Sequence, residues 1–452
     1  MPWPPPSTLP DSPFPSRTVA AVAAVAEALL TPCYWSAELL LGLQPTTAER
    51  ARWRRHRAGP YLAVALRVLA APVLALALLL ALPPALLGLL LWLPAQARRR
   101  PFVLQHTATA AVAEPWEPRS HGGFTFVSAN VCLLPSGLAR FSNLAGTRQR
   151  AAAIGRLLAA GQRSCQWPEW QITMPDPMPP VLSTHIPPDT DFLCLQEVFD
   201  AAAANELCRR LGRRFPYLLW GVGPGGLRCG RLRVLGSGLL MASRYPLLAA
   251  RFHPFPNGAR EDALANKGLL VAQVLLGTGR GRRVLGYLSC THLQAPAPDA
   301  AIRGDQLTNI LDWLRKFRQD VEKNGDLVAF NVLCGDLNFD NCSRGDAPNQ
   351  RHPLFEEFFD PARLRCGQDQ PWAIGGDSAV TSVTSVSPLS PVSPVSPPVT
   401  CVTSVSPVSP VSPPVTSCHL CYLCHLSVTC VSSVTCVTCV TSVTSVSPVS
   451  AL

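Results

Sequence analysis

Residues 68–93 hold no charged side chain, and this stretch of 26 residues limits what the rest of the chain can do. As one helix it is long enough to cross a hydrocarbon core of about 30 Å. Pro72, Pro83 and Pro84 interrupt it, and each removes a backbone donor, so the stretch is expected to break as a helix. A second apolar segment, 18–43, is interrupted by Glu27, Pro32 and Glu38. Arg50, Arg52, Arg54, Arg55 and Arg57 precede the uncharged stretch, and Arg98, Arg99 and Arg100 follow it. Basic flanks attract anionic headgroups and set orientation. Clusters on both sides favour a re-entrant or hairpin-like anchor over a simple span. The Arg98–Arg100 side, and the domain after it, are then expected to face the cytosol. The Pro-rich opening lacks a basic n-region, so no cleaved signal peptide is expected.

The other end is biased differently. From 376 to 452 the composition is Ser, Val, Thr, Pro and Cys, and no Lys, Arg, Asp or Glu follows Asp377. Such a tract has no core pattern and reads as disordered. Cys418, Cys421 and Cys424 with His419 and His425 admit a zinc reading. The scatter of cysteines through the same repeats favours a tandem repeat without metal. The other ten cysteines lie singly, several in apolar runs, as in a reducing, cytosol-facing compartment. The divisions are 1–17 (Pro-rich), 18–43 and 68–93 (apolar), 44–67 (Arg-rich), 94–123 (basic), 124–375 (a globular domain with a Pro-rich insertion at 161–190) and 376–452.

Within 124–375, strands are expected at 124–130, 192–197, 239–243, 268–276, 284–290 and 327–334. Helical character is expected at 143–160 and 305–318. Several strands end in polar residues: Asn130, Gln196-Glu197, Thr291-His292 and Gly335-Asp336-Leu337-Asn338. Polar residues at the ends of buried strands line a crevice. A carboxylate, an amide, an imidazole and an Asp-x-Asn pair suit metal-assisted phosphodiester hydrolysis, in which a hard cation offsets phosphate charge and a positioned group handles protons. Singly, each has a plainer reading: Asn130 as a helix cap, Glu197 at a helix start, His292 in the core, Asp336 in a turn.

The runs Ala-Asn-Val-Cys-Leu-Leu-Pro (129–135), Asp-Phe-Leu-Cys-Leu-Gln-Glu-Val-Phe-Asp (191–200), Ser-Gly-Leu-Leu-Met-Ala-Ser-Arg-Tyr-Pro (237–246), Cys-Thr-His-Leu-Gln-Ala-Pro (290–296), Cys-Gly-Asp-Leu-Asn-Phe-Asp-Asn-Cys (334–342) and Pro-Trp-Ala-Ile-Gly (371–375) strongly resemble membrane-anchored neutral sphingomyelinases. Pro-Cys-Tyr-Trp (32–35) and Pro-Thr-Thr (45–47) resemble the same branch, so the likeness covers roughly 15–375. It implies an α/β fold: the DNase I-like four-layer sandwich of the endonuclease/exonuclease/phosphatase superfamily. It implies hydrolysis of sphingomyelin to ceramide and phosphocholine with Mg²⁺, or Mn²⁺ in its place. By resemblance Glu197 is the main metal ligand and Asn130 helps complete the site. His292 stabilises phosphoryl oxygens, Asp336 orients water or phosphate, and Asn338 bonds the phosphate. Asp262 and Lys267 lie in a loop near the site, with Lys267 as a headgroup contact.

The expected partners are the membrane lipid substrate and anionic phospholipid, not nucleic acid; oligomeric state is not specified. The family pattern continues past 375 into further strands, an Arg-Ile-Asp-Tyr-like run and a terminal Asp-His. Neither motif occurs in 376–452, and no Asp-His dipeptide occurs anywhere in the chain. The sandwich is therefore expected to be incomplete at its C-terminus, with open edges. A nuclease or a phosphoinositide phosphatase of the same fold, and a catalytically impaired homologue, are the competing readings.

Overall fold

The computed structural model describes residues 3–116, 124–160, 190–228, 230–279, 281–360 and 362–370, and four three-residue strands of the tail. The insertion at 161–189 and the Cys418–His425 tract lie outside the described residues.

Three helices open the chain: α1 (Arg17–Gly42), α2 (Thr47–Trp53) and α3 (Gly59–Ala97). The proline expectation is corrected here. Helix α3 runs unbroken through Pro72, Pro83, Pro84 and Pro94, and α1 through Pro32. Helical geometry in these segments is the best way to satisfy the remaining backbone groups, and isolated gaps in the ladder are tolerated in long apolar helices.

The following elements are β1 (Val103–His106), β2 (Thr125–Leu133), α4 (Ser136–Ala139), α5 (Thr147–Ala160), β3 (Phe192–Val198), α6 (Ala201–Leu211), β4 (Tyr217–Trp220), β5 (Gly226–Arg228), β6 (Arg231–Arg233), β7 (Leu240–Ser243), β8 (Leu247–Pro254), β9 (Gly268–Gly279), β10 (Arg282–His292), α7 (Ala300–Val321) and β11 (Leu327–Asp336). One sheet has the order β1-β4-β7-β3-β2 and the other β11-β10-β9-β8. Among these strands the pairs β2–β3 and β10–β11 are parallel and the others are antiparallel.

The two sheets face each other across one apolar core. At its centre Phe126, Phe192 and Phe330 meet with ring centroids 4.9–5.3 Å apart. Gly286 makes that contact possible, because a Cβ there would lie 2.1 Å from the Phe330 ring. Helices α5 and α6 cover the outer face of the first sheet, presenting Ala151, Ile154 and Leu158, and Ala203, Leu207 and Leu211, at three- and four-residue spacing. Helix α7 covers the second sheet with Leu307, Ile310, Leu314 and Phe317. The result is the expected helix–sheet–sheet–helix sandwich. Strands buried on both faces read as continuous apolar runs, so β3, β9, β10 and β11 were visible in the sequence.

The outer edges of β2 and β11 are not wholly open. Thr400–Val402 pairs in parallel with Thr125–Val127, and Val440–Ser442 pairs antiparallel with Asn331–Leu333.

Candidate active site

The four strands carrying the polar ends are two parallel pairs, one in each sheet, and the sandwich brings their carboxyl ends together. In β10 and β11, His292 and Asp336 are register partners. In the other sheet Asn130 of β2 pairs with Gln196 of β3, and Glu197 follows. Asn130 joins the halves: its Nδ2 donates to Glu197 Oε1 at 2.8 Å and to Asp336 Oδ2 at 2.9 Å. Its Oδ1 accepts the Cys132 N–H at 3.1 Å, which fixes which way the amide faces.

A second cluster stands beside the first. Lys267, just before β9, spends its ammonium on Asp262 Oδ1 (2.8 Å), the Leu293 carbonyl (2.9 Å) and His292 Nε2 (3.2 Å). Asp262 Oδ2 accepts the Ala295 N–H at 2.6 Å. Because His292 Nε2 faces an ammonium, it is the acceptor, and the ring proton is assigned to Nδ1. Nδ1 is buried and has no hydrogen-bond partner among the described residues. Burial, and secondarily Lys267, holds the imidazole well below its ordinary pKa, so the ring is neutral at pH 7. Asp336 Oδ2 lies 3.8 Å from Nε2. Asn338 donates its backbone N–H to Asp336 Oδ1 and its Nδ2 to the Leu293 carbonyl, each at 3.0 Å.

All seven residues singled out in the sequence therefore fall in one region, and two groups of features escaped it. The first is backbone strain. Cys132, Glu197 and Asn338, at or just beyond the ends of β2, β3 and β11, have φ of 48°, 59° and 52°. Positive φ at a non-glycine residue costs on the order of 1–3 kcal/mol and clusters where geometry is over-determined. Under Glu197 the backbone of Gly238 comes so close that a Cβ there would sit 3.2 Å from the Glu197 Cα. The second group is bracing. Arg303 is fully buried and donates to the carbonyls of Gln294, Pro296 and Ala297 and to Asp346. Arg233 holds the carbonyls of Phe255, Ala263 and Ala265, shaping the loop that carries Asp262. An arginine inside the apolar stripe of α7 was the available signal for Arg303. Arg233, in a three-residue strand, offered none.

The comparisons decide the family. A family model described as the neutral sphingomyelinase N-terminal transmembrane region matches residues 18–98, and one for the endonuclease/exonuclease/phosphatase family matches 127–390. Sphingomyelin phosphodiesterase 5 of Mus musculus is 44% identical over 382 residues, covering 82% of this chain and 77% of the relative. The chain belongs to the neutral sphingomyelinase family. Sphingomyelin phosphodiesterase 5 of Danio rerio is 34% identical over 443 residues, covering 81% of each chain. Among solved structures, that of SmcL aligns with 54% of this chain and 73% of its own at 20% identity and a TM-score of 0.37.

The donor set of this family member fits a hard divalent cation. Glu197 is half-buried and its carboxyl is pushed up, first by burial and also by Asp336, against the pull of the Asn130 hydrogen bond and Lys267. Lys267 is already paired with Asp262, so its pull on Glu197 is partial and a cation there would offset the charge that remains. Among the described residues no group of three His, Cys, Asp or Glu side chains forms a metal cage. A lone carboxylate with amide support suits an ion that keeps most of its water. Asn130 turns its N–H groups toward Glu197 and Asp336 and its oxygen toward Cys132, so any support it gave such an ion would come through orienting Glu197.

Proposed function

We propose that this chain is a divalent-cation-dependent phosphodiesterase that hydrolyses sphingomyelin to ceramide and phosphocholine at a membrane surface. The observation that carries the reading is the bridge from Asn130 to both Glu197 and Asp336, with His292 beside them, in a member of this family. Glu197 would hold the cation, Mg²⁺ with Mn²⁺ as a substitute, which when bound neutralises phosphate charge. His292 offers its Nδ1–H to a phosphoryl oxygen as a neutral donor, kept in that tautomer by the ammonium at Nε2. Asp336 orients the attacking water or the phosphate. Asn338 bonds the phosphate once its amide leaves the Leu293 carbonyl. Lys267, with its donors engaged inside the protein, acts on the headgroup through His292 and the 293–295 loop. The arginine-flanked helices suit a cytosol-facing surface containing anionic phospholipid.

A second reading rests on a specific observation: among the described residues His292 is the only imidazole in the site, and its Nε2 is occupied. The family pattern adds a general base from a terminal Asp-His, which these 452 residues do not contain. General-base assistance is worth about 10²–10⁴-fold. Residues 1–452 are therefore expected to hydrolyse sphingomyelin slowly. The test assays 1–452 on sphingomyelin vesicles with Mg²⁺ or EDTA, beside a chimera carrying an intact relative's C-terminal segment from 376 onward. A chimera at least 100-fold faster and silenced by EDTA supports both readings. Equal rates would show that a residue already named supplies the base. Full activity of the chimera in EDTA would end the metal reading.

A further inference from the structure

The hairpin of β5 and β6 is built inside out. Its register pairs Gly226 with Arg233, Leu227 with Leu232 and Arg228 with Arg231. Successive residues of a strand point to opposite faces, so the leucine pair shares one face and the flanking pairs share the other. In a hairpin with one face in water, the apolar face turns inward. Here the arginines turn inward. Arg233 is 2% exposed and holds the carbonyls of Phe255, Ala263 and Ala265. Arg231 bonds the Gly258 carbonyl, and Arg228 bonds the Gln96 carbonyl at 2.6 Å. Leu227 and Leu232 face outward and are 66% and 42% exposed. Two residues beyond Leu232, Val234 is exposed as well, and its N–H donates to the carbonyl of Leu264, itself exposed. Leu264 closes the short turn 260–264 that carries Asp262. At the tip Gly230 has φ of 72°, and a Cβ there would meet nothing within 4 Å, so the tip projects clear of the described residues.

The inversion points to a partner that is apolar where the leucines stand, and position says which partner. Arg228 joins the hairpin to the last turn of α3, and the Trp92 ring of α3 lies so near that a Cβ on Gly225 would be 3.0 Å from it. Helix α3 belongs to the segment matched by the transmembrane family model, so the hairpin is continuous with a membrane-borne surface. Elsewhere Arg140 clamps Glu49, beside α2, with a two-pronged ion pair of 2.6 and 3.2 Å. The hairpin therefore cannot swing away from the helices without breaking contacts between them and the catalytic domain. The charges agree. Arg98, Arg99 and Arg100 follow α3, and Arg228 and Arg231 flank the leucine pair. A carbonyl partner satisfies a guanidinium donor without cancelling its charge. Cations beside leucines match the headgroup–acyl boundary of a membrane that contains anionic lipid.

We infer that the β5–β6 hairpin and the 260–264 turn are a membrane contact of the catalytic domain itself. Leu227, Leu232, Val234 and Leu264 enter the lipid leaflet, and the loop that carries Asp262 is held at the level of the headgroups. The occupant of the exposed face is lipid. This contact follows from the membrane attachment of the chain, whatever reaction the site performs.

The test uses the full chain in vesicles of phosphatidylcholine and phosphatidylserine, without sphingomyelin, so hydrolysis does not enter the measurement. A genetically encoded environment-sensitive fluorophore replaces Leu232 in one protein and Leu364 in another. Leu364 is 54% exposed and stands in a separate hairpin at 363–369. The lipids carry a nitroxide on shallow acyl carbons. At the depth of an interfacial contact, about 5–10 Å, quenching at 232 is expected to exceed that at 364 by at least about threefold. Adding Leu227→Asp and Val234→Asp is expected to bring quenching at 232 down to the level of 364. The unfolding midpoint should stay unchanged, because both side chains are exposed. Equal quenching at the two positions in the parent, or quenching at 232 that survives the double substitution, would overturn the contact. So would emission at 232 that follows protein density in the membrane instead of nitroxide content, since that assigns the face to a second copy of the chain.

Discussion

The strand-end site and the helix pair treat unlike surface in opposite ways. In the site, charged and polar side chains are buried and nearly every donor is satisfied inside the protein: Lys267 by three partners, the Asn130 amide by two carboxylates. In the helix pair, large apolar side chains are exposed, and the described residues leave them uncovered. A buried polar group without a partner is costly, so the site dictates its own residues at fixed spacing. An exposed apolar face has its partner outside the chain, so it dictates only composition. The first region is legible as motifs and the second as a hydropathy pattern.

The largest expected effect breaks the site at its most exposed acid. Glu197→Gln keeps the shape and the Asn130 contact but removes the charge a cation needs. Sphingomyelin hydrolysis by the chimera is expected to fall at least about 10³-fold. Its melting temperature should stay level or rise, since a carboxylate beside Asp336 costs desolvation. Added Mg²⁺ is expected to raise the melting temperature of the parent and not of the variant, because only the parent binds it. Equal Mg²⁺ stabilisation of both would move the ion elsewhere.

Lys267→Met sharpens the comparison, since it turns a satisfied polar cluster into an unsatisfied one. Its side chain and that of Asp262 are 6% and 11% exposed. Removing one partner of a buried pair destabilises by about 3–5 kcal/mol. Denaturant unfolding checks this. The double variant Lys267→Met/Asp262→Leu is expected to regain much of the loss. A single variant within 1 kcal/mol of the parent would mean that solvent already reaches the pair.

How much of this was visible beforehand divides along the same line. The polar residues near the carboxyl ends of β2, β3, β10 and β11 were legible because Asn130, Glu197, His292 and Asp336 each interrupt an apolar run, although β2 continues past Asn130 to Leu133 and β3 past Glu197 to Val198. Strands β1 and β4 are four residues each and carry no alternation, and β5 and β6 are three, so none of them was expected. Helix α6 was missed although Asp200 caps it by accepting the Ala203 N–H, and Arg209 and Arg210 close it. Positive φ at Glu197 and Asn338 could not be read, because no glycine marks either position. The α3 prolines misled because their cost is judged against water, where the segment does not sit.

Asp360 tests whether burial without a partner is tolerated away from the site. It is 4% exposed, its Oδ1 accepts the Ala362 N–H, and its Oδ2 has no hydrogen-bond partner among the described residues. Burial is the chief cause that raises its pKa from 3.8 to about 7. The folded state therefore holds a proton that the unfolded state has lost between those values. Stability from this group is full below pH 3.8 and is lost as pH rises through about 7. Asp360→Asn is expected to add up to roughly 4 kcal/mol at pH 8 and nothing at pH 3.5, because one pKa unit is about 1.4 kcal/mol. Melts of both proteins across that range check it, and a pH-independent difference would refute the assignment.

The smallest expected effect lies on the seam between the two regions. Arg140 and Glu49 are 19% and 22% exposed, so their ion pair is screened yet geometrically ordered. Exposed pairs are worth about 0.2–1 kcal/mol, and a two-pronged, partly buried one belongs near the top of that range. Glu49 also closes its own capping box, so Glu49→Ala loses more than the pair. A double-mutant cycle with Arg140→Ala separates the terms: the coupling energy reports the clamp alone. A coupling near 1 kcal/mol in membrane-bound protein is expected, measured by chemical unfolding of the catalytic domain. If the coupling appears only in detergent and vanishes in bilayers, the domain has let go of the helices there. The opposite treatment of surface in the two regions would then belong to two bodies joined by a tether, not to one clamped molecule.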